Sequence, residues 1–126
     1  MDKRKILIVD DEKDFSEVVR LNLESTGKYE VCIENDASNA LFTALQCHPD
    51  LILLDVIMAS KEGPDVAIEI KGDPRLKKIP IVFLTATVTQ QEVDEEGGKI
   101  GGQAFVAKPS NLDILLDSIE KNMMPA

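Results

Sequence analysis

The residues best placed to do chemistry directly follow short apolar runs. Ile6–Val9 ends in Asp10-Asp11-Glu12, Leu51–Leu54 in Asp55, Ile81–Leu84 in Thr85, and Ala104–Ala107 in Lys108-Pro109. Brought together, three or four carboxylates repel one another and call for a cation between them. Carboxylate oxygens with water suit Mg²⁺, a hard ion that takes octahedral geometry and phosphate co-ligands. A hydroxyl from Thr85 and an ammonium from Lys108 beside that ion would complete a pocket for a tetrahedral dianion. The chemistry so permitted is phosphoryl transfer onto a carboxylate. Each residue also has a plainer reading when taken alone. An Asp at a strand end is more often a helix cap, Thr85 could merely end a strand, and Lys108 and Glu12 could be solvated charges.

The elements that must position these groups are legible in the hydrophobic pattern. The runs at Ile6–Val9, Leu51–Leu54 and Ile81–Leu84 are continuous in Ile, Val, Leu and Phe, as expected of strands buried on both faces of a parallel sheet. Tyr29–Glu34 is mixed and suits an edge strand, and Ala104–Ala107 is a shorter fifth candidate. Helical stretches alternate with them. Asp14-Phe15-Ser16-Glu17 has capping-box spacing, Phe15, Val18, Val19 and Leu23 are spaced to face a core, and Gly27 stops that helix. Asp36 is the expected cap of a helix over Ala37–Cys47, and Pro64 fits the first turn of a third helix. A last helix begins after Ser110, with Leu112, Leu115, Leu116, Ile119 and Met123 as its apolar stripe. Five strands alternating with five helices predict a doubly wound α/β fold with helices on both faces of a five-stranded parallel sheet. Such sheets bind ligands at the carboxyl ends of their strands, where the polar residues above converge.

Length and composition narrow the function further. The 126 residues, 1–126, are the size of one domain. Fourteen basic against 23 acidic side chains give a net charge of −9, which disfavours direct nucleic acid binding. No apolar run is long enough for a membrane span or a secretory signal. Cys32 and Cys47 are read as small buried thiols in a reducing cytoplasm, and one His with two Cys offers no zinc spacing.

With these residues in order, the chain resembles the receiver domains of two-component response regulators, chemotaxis receivers among them. The resemblance rests on Asp10-Asp11, the run Pro49–Asp55 with Met58 and Gly63 beyond it, Thr85-Ala86, and Phe105 ahead of Lys108-Pro109. Separations of 44 residues from Asp11 to Asp55, 30 on to Thr85 and 23 on to Lys108 also match. It implies a flavodoxin-like strand order 2-1-3-4-5 and a signalling switch, not an enzyme acting on outside substrates. It implies Asp55 as phosphoacceptor, with Asp11, Asp55 and the backbone carbonyl of Ile57 as Mg²⁺ ligands and Asp10 assisting through water. Lys108 and Thr85 would contact the phosphoryl oxygens, Phe105 would turn inward with Thr85, and Pro109 would follow a cis peptide bond. The implied partners are a sensor histidine kinase or phosphotransfer protein upstream, and a downstream protein target or fused output domain. Met1 and the short tail after Met124 suggest a stand-alone receiver.

Three departures from the family pattern stand out. Ala59 replaces the usual Pro after Met58, which should loosen the acceptor loop. Ile57 puts a bulky apolar group where water would approach an acyl phosphate. The segment Glu95–Gly102 holds four of the seven glycines where relatives have a sound fourth helix. Each interior Gly costs on the order of 1 kcal/mol relative to Ala. The expectation is therefore a short helix from near Gln90, then a mobile loop into Gln103. Competing functions fit less well. A haloacid-dehalogenase-like phosphatase needs an Asp where Ile57 stands, a dinucleotide-binding oxidoreductase needs glycines within Asp10–Phe15, and a degenerate receiver would lack the intact acid, Thr and Lys set.

Overall fold

The computed structural model describes residues 3–86, 90–95, 97, 99–100, 103–108 and 111–123. Its strands are β1 (Arg4–Val9), β2 (Tyr29–Glu34), β3 (Leu51–Asp55), β4 (Ile81–Thr85), β5 (Lys99–Ile100) and β6 (Gln103–Ala107). The helices are α1 (Lys13–Glu24), α2 (Ala40–Cys47), α3 (Gly63–Lys71), α4 (Gln90–Glu95) and α5 (Leu112–Asn122), with a 3₁₀ turn at Ala37–Asn39 before α2. The sheet order is β2-β1-β3-β4-β6-β5. The five longer strands are parallel in the expected 2-1-3-4-5 arrangement, and β5 is a two-residue antiparallel addition at the β6 edge.

The continuous apolar runs are explained by two cores, one on each face. Ile6, Ile8, Leu51, Leu53, Val82 and Leu84 face α1 and α5, where Val19, Leu23, Leu115 and Ile119 close the first core. Their alternates Leu7, Val9, Ile52, Leu54, Ile81 and Phe83 face α2 and α3, against Ala40, Ala44, Val66 and Ile70. A strand buried on both sides has no position to spare for a polar residue until it ends. That is why the first polar side chains after the runs gather at one sheet edge.

Several local expectations are corrected. Helix α1 begins at Lys13, with Glu12 at its N-cap and Asp14 inside its first turn, so Asp14 does not open a capping box. The cap position makes no side-chain bond; instead the Glu12 N–H is taken by Asp10 Oδ1 at 2.9 Å. Val18 is 56% exposed while Val19 and Leu23 are buried, so the inward stripe of α1 is narrower than its apolar pattern. Asp36 caps through the Ser38 N–H, but its turn is 3₁₀ before the α-helix sets in. Cys32 on β2 and Cys47 at the end of α2 are joined as a disulfide and are not free thiols, their Cα atoms being 6.8 Å apart. Sequence separation of 15 residues gave no hint that the end of α2 packs over the edge strand.

The short fourth helix is as expected, ending at Glu95 with Val93 fully buried. Gly97 follows at φ +70°, a left-handed turn that Gly adopts without strain. The chain then does not run on as a loop alone. Lys99 and Ile100 pair with Ala104 and Gln103, so part of the glycine-rich stretch is sheet. Gly98, Gly101 and Gly102 lie outside the described residues, as does Pro109 with its expected cis bond. Among the described residues, no helix is long and apolar enough to cross a membrane.

Candidate functional site

Parallel pairing in register carries the ends of β1, β3, β4 and β6 to one edge. Val9 pairs with Leu54, Asp55 with Leu84, and Thr85 with Ala107, so Asp10, Asp55, Thr85 and Lys108 emerge side by side. Backbone bonds from Val56 N–H to Leu84 O, 3.0 Å, and from Lys108 N–H to Thr85 O, 2.7 Å, carry the register just past the strand ends. Asp10 is fully buried, Asp55 is 5% exposed and Thr85 2%. These are burials that a carboxylate tolerates only with a partner.

The partner in this arrangement is Lys108. Its Nζ donates to Asp10 Oδ2 at 2.9 Å and to Glu12 Oε1 at 2.7 Å, and stands 3.7 Å from Asp55 Oδ2. The same ammonium lies 4.4 Å from the centre of the Phe15 ring, a cation–π contact. One oxygen each of Asp10, Asp11 and Asp55 falls within 4.8 Å of the other two, so the three could hold a metal ion between them. Asp11 is exposed, and its Oδ2 accepts the Ala59 N–H at 2.9 Å. A proline at position 59 has no N–H to offer. The replacement that was expected to loosen the acceptor loop therefore ties it to Asp11.

Electrostatics follow from this crowding. Burial, then the charge of Asp10, pushes the Asp55 carboxyl up to about 6, with Asp11 and Glu12 adding to the rise and Lys108 opposing it. Burial also raises Asp10, against the pull of the Glu12 N–H and Lys108. Burial alone would lower Lys108, but its bonds to Glu12 and Asp10 and the charges of Asp10 and Asp55 outweigh that, so its proton is held above the ordinary lysine range. The cluster holds more negative charge than one ammonium can balance.

Gly63 sets how close α3 approaches. Its N–H donates to Val56 O at 2.8 Å, and a Cβ there would overlap the Asp55 carbonyl oxygen and lie 2.9 Å from Val56 Cα. Of the other expected residues, Ile57 is 59% exposed beside the acceptor loop. Phe105 is half-buried and stacks on Phe83 at 5.2 Å between centroids. Three contributors escaped the sequence reading. Phe15 was assigned to the core and Glu12 to solvent, yet both touch Lys108. Asn35 donates to the Asp10 carbonyl at 2.7 Å and to the buried Ser16 hydroxyl at 3.0 Å. Asn35 follows β2 as Asp10 follows β1, so the strand-end rule that singled out the acids also points to it.

Comparison with known proteins agrees with this geometry. The family model of the response regulator receiver domain matches residues 6–120. The chemotaxis protein CheY4 of Vibrio cholerae is similar at 28% identity with a TM-score of 0.82, over 97% of this chain and 100% of that one. The N-terminal domain of a response regulator receiver protein from Methanoculleus marisnigri JR1 is 31% identical, with a TM-score of 0.69 over 97% and 98% of the two chains. The receiver domain of Klebsiella pneumoniae RstA, 22% identical with a TM-score of 0.77 over 97% and 100%, shares the fold. A buried acid cluster spanned by one lysine at the carboxyl edge of a 2-1-3-4-5 sheet, and a family match over nearly the whole length, establish that this chain belongs to the response regulator receiver domain family, whose members are signalling domains.

Proposed function

We propose that Asp55 accepts a phosphoryl group from a sensor histidine kinase or phosphotransfer protein, and that this changes the face offered to a downstream protein target or fused output domain. The observation that carries the proposal is the position of Lys108 Nζ, 3.7 Å from Asp55 and bonded to Asp10, within a cluster whose three acids lie within 4.8 Å. The donor set fits Mg²⁺, since it is all oxygen and holds Asp55 raised by its burial and then by the charge of Asp10, a strain a cation would relieve. Asp11, Asp55 and the Ile57 carbonyl would hold the ion, with Asp10 assisting through water, and the ion would draw charge off the phosphoryl oxygens.

In this reading an Asp55 carboxylate oxygen attacks phosphorus while the phosphorus–nitrogen bond to the donor's histidine breaks. The electron pair stays on the imidazole nitrogen. Lys108 shifts its N–H donors from Glu12 and Asp10 toward the new phosphoryl oxygens, and the Thr85 hydroxyl joins it from the end of β4. Phe105, two residues before Ala107 on the strand paired with Thr85, would follow that movement. The −9 charge argues against direct nucleic acid contact. A cytoplasmic kinase as donor would place the protein in the cytoplasm, where the Cys32–Cys47 bond would be open to reduction.

The test is a thermal melt with Mg²⁺ and beryllofluoride, a stable mimic of the acyl phosphate. A rise in melting temperature that needs both components, and that disappears in Lys108→Ala, is expected. No rise in the wild-type protein would sink the proposal.

A further inference from the structure

The fold carries a second concavity, separate from the acid cluster. A cavity of about 390 Å³ opens on the α3 face of the sheet, between α3, β4 and β6. Its walls include Val56, Ala67, Ile68, Phe83 and Phe105, and Lys71 stands at the rim. That volume lies within the range of small-molecule sites, and apolar walls with a single well-placed charge are their usual composition. Ile68, among the lining residues, is 70% exposed.

The charge at the rim indicates what the cavity accepts. Lys71 Nζ donates to the carbonyls of Ile79 at 3.0 Å and Lys77 at 3.4 Å, and it forms no ion pair with a carboxylate among the described residues. In a chain with nine excess negative charges, an ammonium that pairs with no described carboxylate and lines an apolar cavity is a place to draw an anion. Two of its three N–H groups are turned to carbonyls, which fixes its position and leaves one donor and the full charge for a ligand.

We propose that this cavity binds an amphipathic monocarboxylate, a medium-chain aliphatic or small aromatic acid. Its apolar part lies against Val56, Ala67, Phe83 and Phe105, and its carboxylate meets Lys71. The site shares no side chain with the acid cluster, so it is formed before any phosphoryl transfer and binding persists in Asp55→Asn.

The test is an NMR amide titration of the whole protein with sodium octanoate, and with octanamide as its uncharged counterpart. Octanoate should shift amides of residues 64–71, 81–83 and 103–105 saturably, and octanamide should bind at least about fivefold more weakly, the effect of one solvent-exposed charge pair. Ile68→Glu sets a like charge at the mouth on an exposed position, so it should weaken octanoate by a similar factor with the melting temperature unchanged. Lys71→Gln should remove the preference for octanoate over octanamide. Unsaturable shifts scattered over the surface, equal binding of the two probes, or wild-type affinity in Ile68→Glu would each overturn the proposal.

Discussion

Replacing Asp55 with Asn should stabilise the metal-free protein at neutral pH. Asp55 is 5% exposed, and burial with the charge of Asp10 raises its carboxyl from 3.8 to about 6. The folded value lies above the unfolded one, so the contribution to stability is complete below about pH 4 and is lost as pH rises through about 6. At about 1.36 kcal/mol per pH unit, the ionised carboxylate costs the fold at most about 3 kcal/mol at pH 7.5. With an effective dielectric of about 20 rather than about 4 even at buried sites, the expected size is about 1–2 kcal/mol. For 126 residues that corresponds to about 4–8 °C in melting temperature. Asn keeps the shape and removes the charge. Circular dichroism melts in EDTA at pH 7.5 and pH 4.5 are the assay: the variant should gain the full increment at the higher pH and clearly less at the lower. An Asn variant less stable at pH 7.5 would mean that the Lys108 attraction at 3.7 Å outweighs burial and repulsion, and an equal gain at both pH values would detach the effect from titration.

Other perturbations follow from the same geometry. Asp11→Ala should lose more than half of any Mg²⁺-dependent rise in melting temperature, because it removes one of the three clustered carboxylates; a full rise in the variant would exclude Asp11 as a ligand. Gly63→Ala should cost at least about 2 kcal/mol, since its methyl would overlap the Asp55 carbonyl, and an unchanged urea midpoint would contradict the close approach. Reducing the Cys32–Cys47 bond should lower stability by up to about 3 kcal/mol for a loop of this length, while a double Ser variant should ignore the reductant. Identical melts with and without reductant in the wild type would show that the cross-link does not contribute.

How much of this was legible in the sequence depended on whether the cause was periodic or positional. Strands buried on both faces leave an unbroken apolar signature, so β1, β3 and β4 and the polar residues ending them could be read directly. Asp10, Asp55, Thr85 and Lys108 were placed together by topology alone, because parallel strands in register bring their ends to one edge. What stayed hidden depended on side-chain direction or on packing between distant elements. Val18 and Val19 look alike in the pattern, and only the rotation of α1 sends one to solvent. Phe15 reads as core because nothing in sequence says that an ammonium from residue 108 will lie over its ring. The Cys32–Cys47 contact and the pairing of Lys99–Ile100 with β6 both arise from how edge elements fold back. Four glycines announced a weak helix correctly, yet could not announce that two residues among them would add to the sheet.

The central claim is that Asp55 takes the phosphoryl group at this acid cluster. Intact-mass measurement after incubation with Mg²⁺ and a small phosphodonor such as acetyl phosphate tests it most directly. The account predicts one added phosphoryl group on the wild-type protein, absent when EDTA replaces Mg²⁺ and absent in Asp55→Asn. Undiminished labelling of Asp55→Asn, or no labelling of the wild type, would contradict it.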